Sequence, residues 1–224
     1  MPKVSKDYVE RKKAEIVSAA IVVCQAKPVY EVTLRDVVKE CGISQGSIYS
    51  YFSSIDEVFA EIVNRAYSTH QIADRIATVV ASEDAYGRKI LEILSAMGKL
   101  VDVMTAEYGT ILYELNGLYA RNPKRAVQFA NKVKINDDTN AALAAVMSIV
   151  DEGLAQGAFF TTHPREAIFL LLETSIQGIA RAITFAPSPQ AIHHLYGIEK
   201  GKANAQGMME MLAHLVISLL ETQK

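Results

Sequence analysis

Hydrophobic residues recur at three- and four-residue intervals along almost the whole chain, which is the spacing of one face of an α-helix. The first such segment covers residues 10–26 and ends at Lys27-Pro28, because a proline disfavours helical backbone in the residue before it. Beyond about residue 82 the pattern predicts only helices, over residues 86–108, 110–119, 141–156, 164–185 and 205–221. We therefore predict an all-α fold.

Two shorter helices are predicted between residues 33 and 52. Thr33 followed by Asp36 has the spacing of a capping box and opens a helix to about residue 40. Gly42 then permits the positive φ of a tight turn, and Ser44 can cap a second helix that ends near Phe52. Two short helices joined by a glycine turn and packed on a longer first helix form a helix-turn-helix.

A second capping box, Ser54 with Glu57, predicts the start of a helix that runs to about residue 80. This helix is expected to connect two domains. We predict a helix-turn-helix domain over residues 1–55 and a larger helical domain over residues 56–224, with residues 56–80 as the connecting helix.

The second short helix has an unusual outer face, within the segment GISQGSIYSYF. Ile48 and Phe52 lie one turn apart and are expected to anchor it to the core. The remaining positions carry hydroxyl and amide groups, which can bond base edges and phosphates in a DNA groove, while Gly46 permits close approach of a phosphate backbone. A solvated surface helix is the alternative that this face alone leaves open.

Net charge is −2, which by itself does not suggest a nucleic-acid partner. The charges are unevenly distributed, however. Residues 1–52 carry a small positive excess and the remainder is net negative, with the basic residues of the first turns being Lys3, Lys6, Arg11, Lys12 and Lys13.

The run from Thr33 to Val38 (TLRDVV), the run from Cys41 to Phe52 and the segment SSIDEV after it resemble the DNA-binding domain of the TetR family of transcriptional regulators, over about residues 10–60. One position departs from the family, since Ile55 stands where a lysine is usual. The resemblance implies a homodimeric, all-helical repressor with an effector-binding C-terminal domain. A dimer with two-fold symmetry is in turn expected to bind a palindromic DNA operator.

The resemblance also implies roles for single residues. Thr33 and Tyr49 are expected to contact phosphates, and Arg35, Gln45, Ser47 and Tyr51 are candidates for reading bases. The full set of candidate DNA-binding residues is Lys12, Thr33, Arg35, Ser44, Gln45, Gly46, Ser47, Tyr49, Ser50 and Tyr51.

The helices predicted over residues 164–185 and 205–221 are apolar on more than one face. Pairing them across a two-fold axis would remove the second face from water, whereas a single thick core in a monomer is the alternative. The candidate dimer-interface residues are Ile168, Leu172, Ile176, Ile179, Met208, Leu212, Leu215 and Leu219.

Thioether and aromatic side chains of the larger domain suit an adaptable apolar cavity, although the same residues could simply fill the core. The candidate effector-binding residues are Met97, Met104, Tyr108, Tyr113, Met147 and Phe169. Few charges interrupt these faces, which favours a neutral or weakly polar effector.

Motifs for catalysis or metal binding are missing from the sequence: it has no HExxH, no CxxC pair and no Gly-rich phosphate loop, and its histidines are dispersed. We therefore expect no enzyme activity, no metal and no cofactor. Residues 167–183 are interrupted by Glu173, Gln177 and Arg181, so no membrane span is expected. Two cysteines fit a reduced cytoplasm. A helical protein-interaction module that binds no DNA operator is the alternative function.

Overall fold

The computed structural model describes residues 6–134, 138–186, 188, 191, 193–194, 197 and 203–221. The described residues form helices and no strands, which confirms the predicted all-α class. The helices are α1 (Lys6–Ala26), α2 (Leu34–Cys41), α3 (Gln45–Ile48), α4 (Ile55–Thr69), α5 (Ala73–Ala81), α6 (Tyr86–Tyr108), α7 (Ile111–Ala120), α8 (Pro123–Ala130), α9 (Asp138–Ala155), α10 (Arg165–Thr184) and α11 (Ala205–Leu220), with a 3₁₀ turn at Val29–Glu31.

The single connecting helix predicted over residues 56–80 is wrong, because α4 ends at Thr69 and α5 begins at Ala73. The break follows the polar run Ser68-Thr69-His70. There the Ser68 hydroxyl donates to the carbonyl oxygen of Arg65 at 3.2 Å. Ser and Thr side chains compete in this way for backbone hydrogen-bonding groups, which weakens a helix at such a run.

The chain divides into two compact units, one comprising Met1–Thr69 and Tyr108–Asn136 and the other His70–Glu107 and Asp137–Lys224. The predicted domain boundary at residue 55 does not coincide with this division. Helix α4 packs on α1, and α7 and α8 pack on the 3₁₀ turn and on α4. Long-range packing therefore places α4, α7 and α8 in the first unit, although most of the intervening chain belongs to the second.

The first unit has a core built from the inner faces of α1 to α4. The predicted apolar face of α1 is buried, and so are the anchors of the shorter helices. These buried side chains are Ile16, Ala20, Val23 and Cys24 of α1, Val37 of α2, Ile48 and Phe52 around α3, and Val58, Phe59, Ile62 and Ala66 of α4.

The attachment of α7 and α8 to this unit is polar as well as apolar. The Tyr119 hydroxyl donates to Asp56 Oδ1 at 2.6 Å, and the Arg125 guanidinium donates to both oxygens of the same carboxylate. The backbone N–H of Val29 donates to Glu114 Oε2 at 2.8 Å. Residues far apart in the sequence thus fix both the 3₁₀ turn and the start of α4.

The second unit is a bundle of α5, α6, α9, α10 and α11 around a main apolar core, with a smaller apolar cluster of Ile183, Ala203 and Ala205. A carboxylate caps α11, since Asp102 of α6 accepts from the backbone N–H groups of Ala205 at 2.8 Å and Gln206 at 3.0 Å. Gly98 lets α6 approach this helix start closely, because a Cβ at that position would lie 2.5 Å from Cα of Gln206. The chain thereby fixes where α11 begins against α6.

Half of the predicted dimer-interface residues lie in the core of their own chain. Ile168, Leu172, Ile176 and Leu212 are at most 7% exposed, so the prediction that they contact a partner subunit is wrong. Ile179, Met208 and Leu219 are half-buried, and Leu215 is 64% exposed. Both helices have two apolar faces, and only the packing of α10 against α11 decides which one points inward.

The outer faces of α10 and α11 nevertheless carry large apolar side chains among polar ones. Exposed large hydrophobic side chains at this surface, which we call the outer apolar face, are Phe169, Leu170, Leu171, Phe185, Met211 and Leu215. Within the described residues, α10 is the one helix long and apolar enough to cross a membrane by length and composition. This is weak evidence for a membrane, since helices of soluble proteins pass the same test.

Candidate nucleic-acid interface

Helix α2 begins at the predicted capping box. The Asp36 backbone N–H donates to Thr33 Oγ1 at 3.4 Å, while the Thr33 N–H and hydroxyl donate to Asp36 Oδ2 at 2.8 and 2.6 Å. The other end of α2 has Gly42 at φ +65°, the left-handed turn predicted from the sequence. These two features fix the length of α2 and the direction in which the chain leaves it.

A salt bridge strengthens the start of α2. Lys27 Nζ lies 2.7 Å from Asp36 Oδ2. Hydrogen bonds from Lys27 and Thr33 lower the pKa of Asp36 to about 2. The carboxylate is therefore ionised at neutral pH and holds the cap, and the Thr33 hydroxyl is already engaged with it.

Helix α3 begins at the predicted cap, Ser44, whose Oγ accepts from the Ser47 backbone N–H at 3.2 Å and donates to Ser47 Oγ at 3.0 Å. The α-helix itself ends at Ile48, earlier than predicted. From there, i→i+3 bonds such as Tyr51 N–H to Ile48 carbonyl, at 2.9 Å, continue the turn to Phe52. Such bonds tighten the last turn of a helix. We call residues 45–52 the recognition segment.

Two buried side chains orient the recognition segment. Ile48 is 0% exposed and Phe52 is 3% exposed, which confirms them as anchors. With these two positions inward, the hydroxyl and amide groups point to solvent. The exposed positions are Gln45, Gly46, Ser47, Tyr49 and Ser50, and Tyr51 is half-buried.

The other candidate DNA-binding residues occupy different surroundings. Arg35 is exposed in the first turn of α2. Lys12 is half-buried on α1, and its Nζ lies 2.6 Å from Glu15 Oε2, so its charge is partly neutralised. Arg35 and the exposed residues of the recognition segment thus lie on two consecutive helices, α2 and α3, whereas Lys12 lies on α1.

Sequence reasoning missed a set of polar contacts at the start of α4. Asp56 binds Tyr119 and Arg125, and Lys132 Nζ lies 2.7 Å from Glu57 Oε1. Burial raises the pKa of Asp56, but the hydrogen bonds from Arg125 and Tyr119 outweigh it and lower the pKa below its usual value. The sequence does contain a signal for these contacts: residues 115–136 carry five basic residues and no acidic one, so they need acidic partners from elsewhere in the chain.

The candidate effector-binding residues are divided between the two units. Met97 and Met147 are buried in the core of the second unit and Met104 is half-buried there. Tyr108 is buried and Tyr113 half-buried in the first unit. Phe169 is 40% exposed on the outer apolar face. Its neighbours Ile168 and Leu172 take the inward positions of α10.

The described part of the first unit contains a half-open cleft of about 380 Å³. It is lined by residues 24–28 at the end of α1 and by residues 108–111 with Glu114 around the start of α7. Of the six candidate effector-binding residues it includes Tyr108. Within the described ranges, no three His, Cys, Asp or Glu side chains lie together as a metal site would require.

The DNA-binding motif matches a known family. Residues 16–62 match the family described as bacterial regulatory proteins, tetR family. Over 62 residues the chain is 44% identical to the uncharacterized HTH-type transcriptional regulator YfiR of Bacillus subtilis (strain 168). That match covers 28% of this chain and 30% of the relative.

Solved structures extend the similarity of fold to nearly the whole chain. PfmR, a TetR family transcriptional regulator from Thermus thermophilus, has a TM-score of 0.61 at 14% identity, covering 92% of this chain and 99% of that one. The ketosteroid transcriptional regulator KstR2 of Mycobacterium tuberculosis has a TM-score of 0.62 at 14% identity, covering 95% and 96%. The fatty acid degradation regulator FadR from Bacillus halodurans has a TM-score of 0.58 at 14% identity, covering 99% and 100%.

These relatives are regulators rather than enzymes, and the fold they share with this chain is an N-terminal helix-turn-helix followed by a helical domain. The helix-turn-helix of this chain, residues 16–62, is therefore similar to that of the tetR family of bacterial regulatory proteins.

Proposed function

We propose that the protein is a sequence-specific, DNA-binding transcriptional regulator that acts in the cytoplasm. The observation that carries this proposal is the recognition segment, in which Ile48 and Phe52 are buried while Gln45, Ser47 and Tyr49 are exposed. A segment anchored in this way presents amide and hydroxyl groups at a fixed angle to a major groove, where Gln can bond adenine through both of its polar atoms.

The protein acts as a homodimer in this proposal. The outer apolar face carries six large exposed hydrophobic side chains on α10, α11 and the residue after α10, and exposed apolar surface of this kind marks interaction sites when it is extensive. Pairing this face with its copy across a two-fold axis buries it without new elements. A two-fold dimer presents two recognition segments, which matches a palindromic operator with half-sites about one helical turn, or a multiple of it, apart.

The regulator is a repressor that a small apolar molecule releases from DNA. Its effector site is proposed within the apolar core of the second unit, where Met97 and Met147 supply adaptable side chains. Two regulators of similar fold are named for ketosteroids and for fatty acid degradation, which agrees with an apolar effector. Release requires the effector to bind the DNA-incompetent arrangement more tightly, and a typical coupling of about 1–3 kcal/mol lowers operator affinity roughly 5- to 150-fold.

Selection of genomic fragments on the purified protein tests DNA binding. We expect enrichment of a palindromic sequence, bound with an affinity that falls steeply with salt because phosphate contacts release counterions. Binding without any enriched sequence and with a shallow salt dependence would instead favour a helical protein-interaction module.

Titration with and without operator tests the effector. Candidate ligands can be found by the increase in thermal stability that they produce, and each is then titrated against the free protein and against the protein–operator complex. Because coupling is reciprocal, operator DNA must weaken binding of a true inducer by the same factor by which the inducer weakens operator binding. Equal affinities in the two titrations exclude that ligand as an inducer.

A further inference from the structure

Four basic residues surround helix α8, and we call them the α8 basic cluster: Arg121, Lys124, Arg125 and Lys132. They come from a segment of the sequence that has no acidic residue. Arg121 and Lys124 are exposed, whereas Arg125 is half-buried. The cluster belongs to the same compact unit as the helix-turn-helix, although about 70 residues separate the two in the chain.

Two contacts place the cluster at the start of α4. The Arg125 guanidinium lies 2.7 Å from Asp56 Oδ1, and Lys132 Nζ lies 2.7 Å from Glu57 Oε1. The other oxygen of Glu57 accepts from the Ser53 backbone N–H at 2.7 Å. Ser53 directly follows the recognition segment, so a continuous chain of hydrogen bonds joins Lys132 to the end of that segment.

The cluster is held in a defined position. Tyr119 donates to Asp56 at 2.6 Å and stacks on Phe129 with ring centroids 3.9 Å apart. The Arg125 guanidinium carbon lies 5.4 Å from the centre of the Tyr119 ring. Asn122 caps α8 by accepting from the Arg125 backbone N–H at 3.2 Å. The residues flanking Arg121 and Lys124 are therefore fixed, and the two exposed cations project from an ordered base.

The cluster keeps an excess of positive charge. Asp56 and Glu57 neutralise Arg125 and Lys132 at the start of α4, which leaves Arg121 and Lys124 as the exposed, uncompensated cations of the same segment. An excess of exposed Arg and Lys beside a groove-reading element suits the phosphate backbone, which such side chains contact whatever the base sequence.

We propose that the α8 basic cluster is a second DNA-contacting surface, in which Arg121 and Lys124 bind backbone phosphates of the DNA that the recognition segment reads. This inference rests on the proposed DNA-binding function and adds to it a surface outside the helix-turn-helix. The surface contributes affinity without base preference. It also couples DNA contact to α7 and α8, because Tyr119, Arg125 and Lys132 of the same segment hold these helices on α4.

The test replaces both exposed cations, Arg121→Ala with Lys124→Ala, and measures binding of a selected operator and of an unrelated duplex over a range of salt concentrations by fluorescence anisotropy. Each phosphate contact contributes about 1 to the slope of log K against log salt, so the double variant should lose about 2 per bound subunit, on both duplexes alike and with base preferences unchanged. The matched control is Arg75→Ala with Lys99→Ala, which removes an exposed Arg and an exposed Lys from the second unit and should leave the slope unchanged.

A double variant with the same slope as the control on both duplexes would overturn the inference. If the double variant showed a lowered unfolding temperature, the single variants Arg121→Ala and Lys124→Ala would decide the matter by the same measurement. The proposed function is tested separately, because it fails when the wild-type protein selects no sequence. A reduced slope on the unrelated duplex would still reveal the α8 contact in that case.

Discussion

Substitutions at two leucines of α11 can test the proposed subunit contact separately from the core of the subunit. Leu212 is 7% exposed and packs inside the chain, whereas Leu215, less than one turn further on, is 64% exposed on the outer apolar face. Replacing each by glutamate makes the same chemical change at two different places. We expect Leu215→Glu to give a folded monomer and Leu212→Glu to unfold the subunit.

The magnitude follows from the exposure of Leu215. Complete burial of a leucine side chain is worth about 1.5–3 kcal/mol, so the part still exposed in the monomer accounts for about 1–2 kcal/mol per subunit. A two-fold dimer loses this twice. An unpaired carboxylate held in an apolar interface costs several kcal/mol more. A total of roughly 5 kcal/mol or more raises the dimer dissociation constant by at least about 10³-fold.

Sedimentation at micromolar concentration measures the subunit state, and circular dichroism measures the fold. Wild type should sediment as a dimer. Leu215→Glu should sediment as a monomer with unchanged helical content, and Leu212→Glu should lose its cooperative unfolding transition. Val127, 62% exposed on α8, provides the control, because Val127→Glu is a similar change away from the outer apolar face. A wild-type monomer, or a Leu215→Glu protein that remains dimeric like wild type, would refute the reasoning.

Further predictions concern the helix-turn-helix. Gln45→Ala should lower operator affinity by about 1–3 kcal/mol and relax the preference at one base pair per half-site. Tyr49→Phe should weaken binding to all DNA sequences alike. Unchanged base preferences of Gln45→Ala in a repeated selection would contradict its role. Ile48→Ala leaves a cavity at a fully buried anchor and should lower the free energy of unfolding, measured in urea, by about 2–5 kcal/mol. An unchanged free energy of unfolding would mean that Ile48 does not anchor the segment. Hydrogen bonds lower the pKa of Asp36 from 3.8 and that of Glu57 from 4.5, both to about 2. Their contribution to stability is therefore complete above about pH 4.5 and disappears as the pH falls towards 2. Urea midpoints measured against pH should show this loss, and Asp36→Asn with Glu57→Gln should reduce it.

The helix-turn-helix could be predicted from the sequence because its signals are local. The Thr33 cap, the left-handed Gly42 and the Ser44 cap each act through backbone groups within a few residues. Ile48 and Phe52 show their inward positions by helical spacing alone. For this reason the structure reproduces these features, and the set of exposed hydroxyl and amide groups follows from them. The helix ends are less well defined by local signals, as the early end of α3 and the break after Thr69 show.

The tertiary structure decided how apolar faces are used. Both α10 and α11 have more apolar positions than one face can hold, and the sequence does not state which of them meet the core. The inward choice of Ile168 and Leu172 leaves Phe169 and Leu170 outside, so the two predicted interface residues Ile168 and Leu172 face the core of their own chain instead. Which face of a helix is buried depends on the neighbouring helices, and their contacts join residues that are far apart in the sequence.

Tertiary structure also decided which distant segments join the helix-turn-helix. The ion pairs of Asp56 with Arg125 and of Glu57 with Lys132 span 69 and 75 residues. A carboxylate selects a cationic partner by distance in space, and many basic residues in the sequence would satisfy it equally well. The sequence by itself thus determined the helix-turn-helix with its caps and anchors. Packing alone brought α7 and α8 to the first unit and set a basic cluster at the start of α4.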